Sequence, residues 1–268
     1  MPAPTPYTQK ALAPIGPMLW HQARTEVLRL WRTPSFLGPT IILPLVLYTI
    51  LGGLGRGDAK LEAGVSAHVY ALASVATYSI VSIMLFSFGV NIANERSQRV
   101  TILMRATPLP ASIYLLAKAL SALLSALVML LILSGFAIVV GGVQLSVTTW
   151  VSLIAALVLG VLPFIALGFA IGQMINPTGA TPIVNLSFFI LAFASGIFVP
   201  LSQLPDVVQN LAPYSPFYRL AQLAWNAIGV QTASGSIGEA IWLLALYAAI
   251  FFVLALYAYR KEERHSFG

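Results

Sequence analysis

No cysteine occurs in the 268 residues, and only 8% of them are Asp, Glu, Lys or Arg. Without cysteine there is no disulfide framework, no thiolate metal site and no redox motif, so the compartment cannot be read from oxidation chemistry. Water-soluble domains carry about 25% charged residues. A chain this poor in charge cannot cover a soluble fold, and with 59% hydrophobic residues its main solvent is lipid. Histidine is scarce as well. His21, His68 and His265 stand near the ends of apolar runs or in tails, without the spacing of metal ligands. No Gly-Lys pair occurs, which excludes nucleotide binding and ATP hydrolysis through a Walker-type loop. Glu95 and Arg99 form a Glu-x-x-x-Arg, part of one intramembrane protease signature, but the paired glutamate and a usable histidine are missing.

What is present is a series of long apolar runs. A spanning helix needs about 20 mostly apolar residues, at 1.5 Å rise across a hydrocarbon core of about 30 Å. Six segments qualify: 35–54, 68–93, 113–140, 149–173, 182–200 and 239–259. They predict an all-α membrane protein with one transmembrane domain over 18–260, a tail at 1–17 and a short tail at 261–268. Pro2, Pro4, Pro6, Pro14 and Pro17 make the first 17 residues read as a disordered or extended tail, not a cleavable signal peptide. Pro44 and Pro163 predict kinks in their spans, and Gly168-Phe-Ala-Ile-Gly172 is a small-xxx-small packing motif.

The net charge of +6 does not point to nucleic acid, because the basic residues flank the spans instead of forming a stripe. Lys10, Arg24, Arg29, Arg32, Arg96, Arg99, Arg105, Arg260, Lys261 and Arg264 fall on one side, against Arg56, Lys60 and Arg219 on the other. That asymmetry predicts that both termini face the cytoplasm, which agrees with an even number of spans. Lys118, about one turn into the third span, reads as a lysine snorkelling to the cytoplasmic headgroups, with a buried functional lysine as the alternative. No span has an ionisable residue at mid-depth, the feature expected of a proton- or sodium-coupled carrier. Energy for transport would come from elsewhere.

Three connecting stretches carry their own patterns. Residues 18–32 read as an amphipathic interfacial helix, with Trp20, Ala23, Val27 and Trp31 on one face and Arg24, Arg29 and Arg32 on others. Residues 95–104 read as a short cytoplasmic helix with Val100, Leu103 and Met104 as an apolar ridge among charges, stopped by Pro108 and Pro110. Residues 204–228 read as two short helices dipping into the outer leaflet. Ser215-Pro216 starts the second, Phe217, Leu220, Leu223, Ala224 and Ile228 form its apolar face, and Gly229 ends it.

Glu95, Arg96, Thr101, Leu103-Met104 and Ala106-Thr107-Pro108 resemble a stretch of the permease subunit of type 2 ABC transporters, the family of ATP-driven bacterial drug, antibiotic and glycan exporters. Ser195-Gly-Ile-Phe-Val-Pro-Leu-Ser-Gln-Leu-Pro205 and the run Pro213, Ser215-Pro216-Phe217-Tyr218 are similar to two further stretches of that family, in the same order. The chain departs from the pattern at Ser97, where a second glutamate is common, and at Val100, where a glycine is common.

The resemblance implies a six-span fold with an interfacial helix, a coupling helix and outer re-entrant helices, paired with an identical or homologous permease in the cytoplasmic (inner) membrane. It implies two copies of a separate cytoplasmic ATPase that bind ATP and Mg, leaving no catalytic or cofactor site in this chain. Glu95, Arg96, Arg99, Val100, Thr101, Leu103 and Met104 would then meet the ATPase, together with Trp20, Arg24, Val27 and Trp31 of the interfacial helix. The family's substrate path places Ser74, Tyr78, Ser82 and Phe86 of the second span opposite Asn185, Phe188, Phe189 and Phe193 of the fifth. Such a lining suits an amphipathic or lipid-like substrate, while for any single residue ordinary helix packing is the favoured reading. An ATP-independent channel or carrier and a membrane scaffold are the competing classes.

Overall fold

Hydroxyl caps and prolines mark where many of the helices begin. Ser66 accepts the amide of Val69 at 3.4 Å, Ser146 that of Thr149 at 3.1 Å, and Ser215 that of Phe217 at 3.3 Å just before Pro216. The computed structural model describes residues 15–32, 38–53, 64–98, 111–199, 201–231 and 235–265. Every regular element among them is helical. We number the helices α1 (Ile15–Trp31), α2 (Leu43–Gly53), α3 (Ala67–Leu85), α4 (Asn91–Ser97), α5 (Ala111–Gly141), α6 (Val147–Leu159), α7 (Leu162–Met174), α8 (Pro177–Ala194), α9 (Asp206–Leu211), α10 (Pro216–Ala227) and α11 (Ile237–His265). A π turn, Gly38–Ile42, leads into α2, and a second, Phe86–Val90, joins α3 to α4.

Five helical runs are long and apolar enough to cross a membrane: Ala67–Ser97, Ile113–Gly141, Val147–Met174, Pro177–Ala194 and Ile237–Ala258. The first expected span is represented by the shorter apolar helix Thr40–Gly53, preceded by Gly38 and Pro39 of the π turn, while residues 35–37 and 54 lie outside the described residues. Pro44 follows the first π turn, and the fourth span breaks at Gly160 and Val161, with Pro163 in the first turn of α7. A proline there has no amide to leave unpaired. The expected tail at 1–17 falls outside the described residues except for its last three.

The spans differ in what surrounds them. Residues 71–85 of α3 are all buried, enclosed by α2, α5, α7 and α10. Its small side chains allow that approach, and Thr77 and Ser79 return their hydroxyls to the carbonyls of Ala73 (2.8 Å) and Val75 (2.7 Å) of their own helix. By contrast α5 and α11 expose Leu131, Val139, Ile241 and Val253, the surface a span shows to lipid.

The small-xxx-small motif works as packing. A methyl group on Gly168 would stand 2.9 Å from Cβ of Phe88, and one on Gly172 would stand 3.0 Å from both the Gly89 carbonyl oxygen and Cβ of Ile92. Glycine is what lets α7 lie against the second π turn.

At the end opposite α1, the structure corrects the one-sided picture of the second short helix. Residues 216–225 of α10 are buried on every face. Arg219 could be enclosed because its guanidinium is neutralised in place. It donates to the Pro213 carbonyl at 2.5 Å, to Gln222 at 2.9 Å and to Glu239, at the start of α11, at 3.1 Å. Gly229, at φ +89°, closes α10 as its position predicts.

Candidate coupling site

The chemistry-bearing cluster of this chain sits at the α1 end. α1 packs along α5. The face it turns inward carries Ala23 and, one turn on, Glu26, which is only 6% exposed. Glu95, near the end of α4, and Lys118, in the second turn of α5, are each 2% exposed. Nζ of Lys118 lies 2.9 Å from a Glu95 carboxylate oxygen and 3.5 Å from one of Glu26. Arg29 of α1 also donates to Glu95, and so does the hydroxyl of Tyr114 of α5. The Lys118 ammonium stands 5.2 Å from the centroid of the Tyr114 ring, a further favourable contact for a desolvated cation.

The site therefore holds two carboxylates, one ammonium and one guanidinium, balanced in charge. Burying any one alone would be strongly unfavourable, and together each has a partner. Here the snorkelling expectation for Lys118 fails. With two carboxylates converging on it, the ammonium gains more by staying inside than by reaching for headgroups.

Arg96 turns the other way. It donates to the carbonyl of Gly172 at 2.8 Å and approaches that of Ile175 at 3.5 Å, capping the C-terminal end of α7, where unpaired carbonyls and the helix dipole favour a cation. Together with the glycine contacts, this fixes α4 to α7. Glu95 faces α1 and α5 instead, and among the described residues its three donors belong to those two helices.

Of the residues expected to meet an ATPase, Glu95 and Arg96 are thus both engaged within the chain. Arg99, Val100, Thr101, Leu103 and Met104 lie outside the described residues. On α1, Trp20 is 62% exposed and Arg24 is exposed, while Val27 is half-buried; the Trp31 side chain lies outside the described residues. The expected face of Trp20, Ala23 and Val27 is thus split, because the buried stripe runs through Ala23 and Glu26.

The residues proposed to line a substrate path also divide. Ser74 accepts the indole N–H of Trp225 at 2.9 Å, and Tyr78 packs between Phe188 (4.7 Å between centroids) and Phe198 (5.5 Å). With Ser82 these belong to the interior packing, and Phe86 is half-buried. Asn185, Phe189 and Phe193 lie on the free face of α8, with the two phenylalanine rings stacked at 5.2 Å.

A bundle of apolar helices with an enclosed ionic cluster at one end defines a multi-pass membrane protein whose buried charges hold helices together. The family described as ABC-2 family transporter protein matches residues 58–257, and this chain belongs to that family, as a membrane permease. It is 26% identical over 246 residues to YvfS of Bacillus subtilis (strain 168), a protein provisionally named a transport permease, covering 92% of this chain and 98% of that one.

Proposed function

We propose that the chain is the membrane subunit of an ATP-driven exporter. It moves a hydrophobic or amphipathic substrate, such as a drug, an antibiotic or a lipid-like molecule, out of the cytoplasm or the inner leaflet. In this reading two copies of a separate ATPase supply ATP and Mg and dock at α1 and at the segment from Glu95 to Met104. A second permease, identical or homologous, completes the path. Thr40–Gly53 with its flanking residues is the sixth span, and both termini face the cytoplasm of the cell membrane.

The ionic cluster is the observation that carries this reading. It ties α1 to both helices that flank the connection 99–110, so a force on that connection reaches two spans and the interfacial helix together. Rigid-body rocking of helices is the form such transmission takes. The free face of α8 supports a second permease, since an amide such as Asn185 on an apolar span favours a protein partner over lipid.

Purification from its native membrane in mild detergent tests the proposal. The tagged chain is expected to bring down a P-loop ATPase, and breaking the ridge at Val100, Leu103 and Met104 by aspartate substitution is expected to release it. Recovery of the chain alone, as a homo-oligomer, would refute the ATPase reading.

A further inference from the structure

The cluster contains one carboxylate more than Lys118 needs at rest. Its closer partner, Glu95 at 2.9 Å, belongs to α4, which Arg96 and the glycine contacts bind to α7. Its more distant partner, Glu26 at 3.5 Å, belongs to α1, which packs on Lys118's own helix. Among the described residues, the donors to Glu95 are Lys118, Tyr114 and Arg29, all on the α1 and α5 side. If α4 moves relative to α1 and α5, all three contacts are lost together.

We propose that this is a releasable joint, and that Glu26 is its positioning residue. When Glu95 is drawn away, Glu26 takes Lys118 fully, so the ammonium is never left buried without a counter-ion. Releasing a lone buried charge carries a penalty large enough to lock the joint shut. A standby carboxylate on the stationary side removes the share of that penalty that falls on Lys118 and brings the two positions closer in energy, as a switch requires. The π turn at Phe86–Val90, between α3 and α4, is a place where the helix can flex. The idea that ATP drives α4 rests on the function proposed above; the joint itself does not.

Distance measurement between spin labels tests it, and the absence of native cysteine leaves no background labelling. Labels go on Thr25→Cys of α1 and Ser97→Cys of α4, both exposed, in nanodiscs of phosphatidylethanolamine and phosphatidylglycerol. In the permease alone, Glu95→Gln should shift the distribution to longer distances, and Glu26→Gln should leave it at the wild-type position. In the complex with the ATPase trapped by ATP and vanadate, the wild type should populate the long distance. Glu26→Gln should reduce that population about fivefold or more, and Glu26→Asp should restore it.

A Glu95→Gln chain with an unchanged resting distance, or a Glu26→Gln chain that shifts fully with ATP, would overturn the joint. So would a Glu26→Gln chain that fails to fold, because the standby role leaves it dispensable at rest. A wild type that ignores ATP while Glu95→Gln still lengthens the distance would instead remove the ATPase reading and leave the joint standing.

Discussion

Replacing Lys118 with methionine is expected to destabilise the chain by about 3–5 kcal/mol, the range for stranding a buried partner of an ion pair. The side chains are similar in length, so packing changes little and the loss is electrostatic. Among the described residues, removing one cation strips Glu26 of its ion-pair partner and leaves Glu95 with Arg29, whose side chain is 45% exposed, with water able to compete for it. Removing a second charge should reverse the effect. Lys118→Met combined with Glu26→Gln restores neutrality, and its stability should recover by more than half of the loss. Thermal unfolding of the solubilised protein, followed by tryptophan fluorescence, reads all three. A Lys118→Met chain that melts with the wild type would show that the lysine is not held as described.

The second large effect is expected at Gly172. Substitution by leucine places a side chain against the carbonyl oxygens of Phe88 and Gly89 and Cβ of Ile92. Backbone oxygens cannot rotate away as a side-chain tip can, so α7 must separate from the π turn. Overpacking of this kind costs about 1–3 kcal/mol even where side chains give, and more where backbone is the obstacle. Arg96 would then lose the carbonyl it caps. Gly172→Leu should sharply lower the yield of folded protein in size-exclusion chromatography. Gly135→Ala is the control, since no atom lies within 4 Å of the added methyl, and it should behave as wild type.

The legible part of this molecule in its sequence was set by the bilayer. Apolar length alone located five membrane-capable helices, and Ser215-Pro216 with Gly229 bracketed α10. Burial was not legible, because a residue facing lipid and one facing protein are equally apolar. The small residues of α3, from Ala71 to Ser79, are the signal that separates the enclosed span from the others, and they do so only once helix packing is considered.

The ionic cluster escaped for a different reason. Lys118 meets carboxylates 23 and 92 positions away, and no local spacing relates them. Glu26 was hidden among the arginines of α1, where a single acid reads as one more surface charge. A usable signal exists, namely that Glu95 follows the apolar run of the second span and Lys118 opens that of the third, so the two stand at the same end of consecutive helices. Arg219 could have been suspected similarly from Glu239, since both stand at the boundary of the same connection.

The π turn before α4 also fixes the direction in which Glu95 points. A π turn accommodates one residue beyond the α-helical repeat, and each residue of an α-helix rotates the chain by about 100°. Everything after Val90 is therefore turned on the clock face by that amount compared with an uninterrupted helix. Deleting a single residue between Phe86 and Val90 would close the turn to the α repeat and keep the carboxylate aimed at Lys118, whereas straightening the turn at full length would swing the carboxylate away and aim a neighbouring side chain at it. The bearing of this acid is a matter of counting, held by one surplus residue more than a turn upstream.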